Sequence, residues 1–419
     1  METIHTGVTC FTGCVTIGRL TGKRFLLVVD VFDPAEGGGV KAISQHFRRL
    51  HEEGAEVIII TTTPAYTDKS NNNPLTIHRI LEPVSSIDYS PTQLLDTLYT
   101  SLGNQTDKVI NKAKEYPQDY FHYLCGYGSF GALDINRVFT TLKEYFHTAV
   151  THIFQYDPPF DDDRVEHWAN PPALDCDLQI VCSPVWADSI SDGSTIIPVI
   201  PIISALDIPD QTPIPWEDRK YDFGFMNPLP HKGFTLVLKL ISMMPNYTFV
   251  IKEVGGCGKR NPIIPKLEQW FPNVTLVGWH ESMCDFYQDC KYILYPSIWE
   301  GFGMVPLEAG ANGCIVFANQ HPIIEDANPQ FPIFIDAYPE GVTANWIHYT
   351  RNTPGSDIDS MYQNTAEIWQ EVIEDTLSDP QLINKHIELG SHAIEKHKER
   401  ETNLWNEYIE TLVTLGKVT

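Results

Sequence analysis

Residues 25–32, Phe-Leu-Leu-Val-Val-Asp-Val-Phe, form an almost unbroken apolar run of strand length. A run of this kind, apolar on both faces, belongs to a parallel sheet covered on both sides. It ends in Asp33 and Pro34, and Gly37, Gly38 and Gly39 follow. Val40, Ile43, Phe47 and Leu50 then recur at helical spacing, Gly54 stops the helix, and a second apolar run occupies Val57–Ile60. Strand, glycine-rich turn, helix and strand make a βαβ unit, which commits the chain to helices packed on a parallel sheet. Glycines in such a turn let the backbone approach a ligand, and the helix behind them offers free N–H groups to an anion. A tight strand-to-helix turn with no ligand accounts for the same glycines.

The pattern continues. After a polar and helical stretch at 61–115, strand-like runs at 147–154 and 178–182 extend an α/β unit to about residue 205. Residues 206–219, rich in Pro and Asp, read as a linker. Short apolar runs then recur at Phe223–Met226, Thr248–Ile251, Thr275–Val277, Tyr292–Leu294 and Ile315–Ala318, separated by helical segments. The expected division is an unassigned extension over 1–24, an N-terminal Rossmann-like domain over 25–205, the linker, a C-terminal Rossmann-like domain over 220–395, and a helix over 396–419 that packs back on the N-terminal domain. A chain of 419 residues is long enough for two such cores. Ligands of open α/β sheets sit beyond the carboxyl ends of the strands, so two facing sheets put a site in the cleft between them.

The 29 Lys and Arg against 54 Asp and Glu leave a net charge of −25, a surface that repels nucleic-acid backbones and anionic head groups. No apolar run reaches membrane-spanning length, no secretory leader pattern opens the chain, and nine scattered cysteines suit reduced thiols. A cytoplasmic protein, or one peripheral to a membrane, is the expectation. Asp161, Asp162 and Asp163 are carboxylates of the type that hard cations take, but three acids in a Pro-rich loop also serve as solvated charge.

The segment richest in chemistry runs from Tyr295 to Asn319, Y-P-S-I-W-E-G-F-G-M-V-P-L-E-A-G-A-N-G-C-I-V-F-A-N. Glu300 and Glu308 stand on either side of a Gly301-Phe302-Gly303 loop and the start of a helix near Val305. Carboxylates accept hydrogen bonds from sugar and ribose hydroxyls, while glycine amides and a helix N-terminus suit a diphosphate. One short segment therefore offers partners for three parts of a nucleotide sugar.

In its order of residues, P-S-x-x-E-G-F-G-x-x-x-L-E-A-x-A-x-G, this segment resembles the E-x7-E signature of retaining GT-B fold glycosyltransferases of family 4. Residues 25–60, Ile180–Ser183, His231-Lys232-Gly233 and Val274–Pro296 are similar to other parts of that family's pattern, and 65–145 resemble it least. The resemblance implies an α/β fold of two Rossmann-like domains facing a cleft and transfer of a hexose from a UDP- or GDP-sugar to a hydroxyl of a glycan or lipid-linked acceptor. It also implies no cofactor and no essential metal. Glu308 would bind the ribose, Glu300 the sugar hydroxyls and Lys232 the diphosphate, with Gly37, Gly38, Gly39 and the amides of Gly301, Phe302 and Gly303 beside it. Where the family usually has an arginine, five residues before the lysine, stands Asn227; His231, Lys252, Lys259 and Arg260 are candidate replacements for its charge. For the N-terminal catalytic position the choice lies among Asp157, Tyr156 and His152, with Asp157 and Tyr156 preferred because they follow the strand that contains His152. Two rivals stand beside this reading. A fainter likeness to phage-type DNA glycosyltransferases is opposed by the net charge, and a catalytically silent nucleotide-sugar-binding protein is favoured by Asn227.

Overall fold

The computed structural model describes residues 18–29, 31–32, 38–65, 74–83, 104–125, 133–153, 176–189, 195–210, 212–253, 263–278, 283–298, 300–328, 330–339, 342 and 355–415. Two parallel sheets organise it. The first contains β1 (Arg24–Val29), β2 (Glu56–Thr61), β3 (Thr76–Arg79), β4 (Phe121–Cys125), β5 (Thr148–Ile153), β6 (Leu178–Val181) and β7 (Ile196–Pro198), in the order β3-β2-β1-β4-β5-β6-β7. The second contains β8 (Tyr221–Met226), β9 (Phe249–Lys252), β10 (Val274–Val277), β11 (Cys290–Tyr295), β12 (Ile315–Asn319) and β13 (Ile333–Ile335), in the order β10-β9-β8-β11-β12-β13. Each sheet reverses direction once, between β1 and β4 and between β8 and β11. Those two reversals are where open sheets of this kind take ligands.

The helices are α1 (Gly38–Glu52), α2 (Thr106–Ala113), α3 (Ile135–Lys143), α4 (Pro184–Ser189), α5 (Phe234–Met243), α6 (Leu267–Trp270), α7 (Cys284–Gln288), α8 (Met304–Ala311), α9 (Pro322–Ala327), α10 (Gly355–Leu377) and α11 (Pro380–Leu415). In α1 the apolar stripe that the sequence spaces out, Val40, Ile43, Phe47 and Leu50, is buried. The helical tail is two helices because Asp379 accepts from the amides of Gln381 (2.9 Å) and Leu382 (3.1 Å), capping α11 ahead of Pro380. Among the described residues no helix is long and apolar enough to cross a membrane.

The glycine loop, α8, α9 and α11 all meet the first domain. Phe302, Leu307, Ile323 and Ala327 of the C-terminal half lie in one apolar cluster with Val181 and Ile200 of the N-terminal half. Near its end α11 buries Trp405, Tyr408 and Leu412 against the N-terminal domain, where the Tyr408 hydroxyl meets His46 Nε2 at 3.0 Å and the Tyr123 hydroxyl at 2.7 Å. Arg49 forms an ion pair with Glu401 and lies 4.3 Å from the centre of the Trp405 ring. The helix starts 16 residues before the expected position 396, at Pro380. The 206–219 segment is not a free tether: Arg219 is buried and donates to the carbonyls of Cys290 (2.7 Å) and Asn312 (2.6 Å).

Four strands escape the apolar pattern, and β4 shows why. Its second residue is His122, fully buried against Phe146, and neither ring nitrogen has a hydrogen-bond partner among the described residues. Burial pushes this imidazole down to about 3. Because the unfolded chain takes up that proton near pH 6.5 and the native state does not until about pH 3, stability falls as the pH drops through this window. His122→Phe removes the effect. Its stability relative to wild type, measured by urea midpoints, is expected to improve by about 2 kcal/mol between pH 8 and pH 5. A pH-independent difference would show that His122 titrates normally.

Candidate active site

The loops that leave β8 and β11 touch at the reversal of the second sheet. After β8, Asn227 turns the chain with φ of 58°, its amide bonded to the Lys252 carbonyl at 3.1 Å. A short 3₁₀ turn, Pro230–Lys232, follows and ends at Gly233, whose φ of 81° only glycine adopts easily. A Cβ on Gly233 would stand 2.3 Å from the Pro296 carbonyl oxygen, so glycine is what allows the two loops to meet. The Ile298 amide donates to the His231 carbonyl at 2.9 Å and fixes the contact.

This contact brings Lys232 Nζ to 2.7 Å from Glu300 Oε1, with side chains only 14% and 8% exposed. Burial by itself would raise the Glu300 carboxyl, but the Lys232 charge and the hydroxyls of Tyr295 and Ser297 hold it below its ordinary value. Glu300 is therefore ionised and acceptor-only at neutral pH. Burial and the neighbouring Lys232 push His231 down to about 4, so the cation at this place is the lysine.

Downstream, the Gly301 carbonyl accepts from the Cys182 thiol of the N-terminal domain at 3.0 Å. Phe302 packs its ring against His397 of α11. Gly303, with φ of 89°, turns the chain into α8, so the amides at the start of that helix follow Glu300 directly. Glu308, one residue past the middle of α8, is buried; its Oε1 accepts from the Asp207 amide at 3.1 Å and its Oε2 from the Tyr287 hydroxyl at 2.6 Å. Burial first, and the Asp207 charge second, raise its carboxyl. Lys41 of α1 pairs with Asp207 at 2.7 Å, which ties the first domain's glycine-turn helix to the surroundings of Glu308. A Cβ on Gly38 would lie 3.3 Å from Met304 Sδ, so the start of α1 abuts the start of α8.

The structure thus gathers Lys232, Glu300, Gly301, Phe302, Gly303 and Glu308 in the second domain and brings Gly38 up to them, with Gly39 next to it in α1. Asn227 is at the same strand end. Lys252, fully buried at the end of β9, lies against the Phe286 ring, 5.8 Å from its centre. His152 falls within β5, in register with Cys125 and Ile180. Gly37, Tyr156, Asp157, Asp161, Asp162, Asp163, Lys259 and Arg260 lie outside the described residues.

Sequence reading did not find Asp207, Tyr287 and Lys41, whose roles depend on tertiary contact, nor His321. His321 lies two residues past β12 and precedes Pro322, and a polar residue just beyond the carboxyl end of an apolar strand run was the available signal.

Residues 211–331, which include both glutamates, Lys232 and His321, match the family model for glycosyl transferases group 1. No curated protein sequence matches the chain significantly. Among solved structures, the chain is similar to the sucrose-phosphate synthase of Thermosynechococcus elongatus, with TM-score 0.61 and 15% identity over 93% of this chain and 100% of that one. It is similar to HepE of Anabaena in complex with UDP and glucose, with TM-score 0.58 and 15% identity over 94% and 100% of the two chains. It is also similar to the pneumococcal O-GlcNAc transferase GtfA in complex with UDP and GlcNAc, with TM-score 0.56 and 12% identity over 93% and 99%. At such identities the likeness is one of fold. The fold is GT-B, two Rossmann-like α/β domains, and its C-terminal half carries a glycosyl transferases group 1 domain.

Proposed function

We propose that the protein is a retaining, metal-independent glycosyltransferase of family 4 that moves a sugar from a nucleoside-diphosphate sugar to a hydroxyl. UDP is the first choice of nucleotide, since two of the similar structures hold it. The observation that carries the reading is the buried Lys232–Glu300 pair at the reversal of the second sheet, with the glycine loop and Glu308 immediately downstream. In this reading Glu308 takes the ribose hydroxyls through lone pairs that Tyr287 and the Asp207 amide leave over. Glu300 accepts from the sugar, and the diphosphate lies against Lys232 and the amides at the start of α8. When the bond from the anomeric carbon to the diphosphate oxygen breaks, charge develops on that oxygen, and Lys232 is the cation placed to stabilise it. The incoming hydroxyl attacks from the face that the diphosphate leaves. The acceptor in this proposal is a glycan or lipid-linked hydroxyl, and the N-terminal residue beside it is Asp157, Tyr156 or His152.

The test is a panel of UDP-, GDP-, ADP- and dTDP-sugars with EDTA present, reading thermal shift and slow donor hydrolysis. One donor is expected to stabilise the wild type and be turned over, with Glu308→Ala lowering kcat/KM by about 10- to 100-fold through the lost charge-assisted bonds. Binding without turnover would favour a silent sugar-nucleotide-binding protein, which Asn227 in place of a cation supports.

A further inference from the structure

We propose that His321 is a donor-positioning and specificity residue, its Nε2–H donating a hydrogen bond to an oxygen of the transferred sugar beside Glu300. The inference rests on the donor site proposed above and deepens it.

His321 lies two residues past the end of β12, next to β11, whose following loop carries Glu300. The two strand ends are fastened together: Asn319 Nδ2 donates to the Ser297 carbonyl at 3.1 Å, and Ser297 also faces the Glu300 carboxylate. The helix that follows lies under the glycine loop, because a Cβ on Gly303 would reach Ile324 Cγ1 at 3.8 Å and the Tyr295 hydroxyl at 3.7 Å. His321 is 7% exposed, yet among the described residues only one of its nitrogens has a hydrogen-bond partner. Nδ1 accepts from the Ile323 amide at 3.2 Å and so caps α9. Its Nε2 has no hydrogen-bond partner among the described residues, and it is not one of the fully enclosed orphan atoms.

That cap settles what the ring can do. A nitrogen that accepts an amide proton carries none of its own, so the neutral ring must hold its proton on Nε2. Burial, which outweighs the opposing charge of Glu300 and is aided by that of Lys232, pushes His321 down to about 4 and keeps it in this neutral form at working pH. The free nitrogen is thus a fixed donor with no basic lone pair. It complements Glu300, which can only accept. Together they read one sugar from two sides, one taking protons from hydroxyls and the other giving a proton to a hydroxyl or carbonyl oxygen.

The cap and the proposed contact are separable. His321→Asn and His321→Ser each keep an oxygen that caps the helix but cannot reach as far as Nε2, whereas His321→Ala loses both functions. Probes are UDP-glucose, UDP-N-acetylglucosamine and free UDP, with Tm and steady-state donor hydrolysis measured for wild type and the three variants. The expected result is an unchanged Tm and UDP affinity for the Asn and Ser variants, with kcat/KM for the preferred UDP-sugar lowered about tenfold. The Ala variant should also lose about 2–4 °C in Tm. A wild type that turns over a UDP-sugar while both capped variants match it overturns the inference alone. Equal losses toward UDP and UDP-sugar also overturn it, because they mark a purely structural residue. A wild type indifferent to UDP, to both sugars and to the GDP-, ADP- and dTDP-sugars of the panel overturns the donor-site reading and this inference with it.

Discussion

Lys232→Met is expected to cost the protein both stability and turnover, and the two losses have different cures. The lysine is one half of an ion pair whose other half, Glu300, is buried. Removing one partner of a buried pair leaves an uncompensated charge and typically costs about 3–5 kcal/mol. In the proposed reaction it also removes the cation facing the departing diphosphate, a loss of about 10²- to 10³-fold in kcat by comparison with other electrostatic stabilisers. Adding Glu300→Gln should restore most of the stability, because a neutral amide is cheap to bury where a carboxylate is not, and none of the turnover. The sign of the pH dependence gives a further check. In the wild type the Lys232 charge and two hydroxyls overcome burial and hold Glu300 below its ordinary value. Without Lys232 the burial effect wins, the folded carboxyl rises above the unfolded one, and the single variant should become relatively more stable as the pH falls through that raised value. Urea midpoints at pH 5 and pH 8 for the single and double variants would show it. Equal destabilisation at both pH values would mean that Glu300 is solvated in the folded state.

The Glu300–Glu308 segment was legible in the sequence because its function is local. The strand run, the glycine loop and the helix start lie within about twenty residues, and the strand's apolar run and the glycines mark their own positions. The long strands β1, β2, β8 and β11 were legible for the same reason: buried on both faces, they are nearly pure apolar runs. The strands that escaped have identifiable causes. β3 is an edge strand reading Thr-Ile-His-Arg, β7 and β13 are three residues each, and β4 carries a histidine as its second residue. Apolar periodicity has too few positions to act on in any of them.

What the sequence did not disclose is the set of contacts made between distant segments. Asp207 lies in what reads as a linker, yet its amide bonds to Glu308 while its carboxylate pairs with Lys41. Such a residue has no local signature, since Asp in a Pro-rich stretch is ordinary loop composition. Asn227 illustrates the converse. Its resemblance-based reading is a missing cation, whereas the structure gives it a backbone duty, a left-handed turn that asparagine tolerates better than arginine does. Lys252, one of the candidate replacements for that charge, ends the strand paired with β8, and its carbonyl accepts from the Asn227 amide.

Gly233→Ala is expected to disrupt the site from a position that contributes no side chain to it. The substitution meets two independent penalties. At a φ of 81° an L-residue costs about 1–2 kcal/mol relative to its ordinary conformations. The added Cβ would also lie 2.3 Å from the Pro296 carbonyl oxygen and 2.6 and 2.8 Å from the proline ring, contacts that are backbone or rigid ring and cannot swing aside. Relief requires the β8 and β11 loops to separate, which breaks the Ile298-to-His231 hydrogen bond and withdraws Lys232 from Glu300. The expected outcome is a destabilisation of about 3 kcal/mol or more, combining strain with overpacking, and a donor-dependent thermal shift that is abolished in whatever protein remains folded. Gly278→Ala is the matched control, because a Cβ there meets nothing within 4 Å. If Gly233→Ala retained wild-type stability and donor response, the close approach of the two loops would not be what assembles the lysine–glutamate pair.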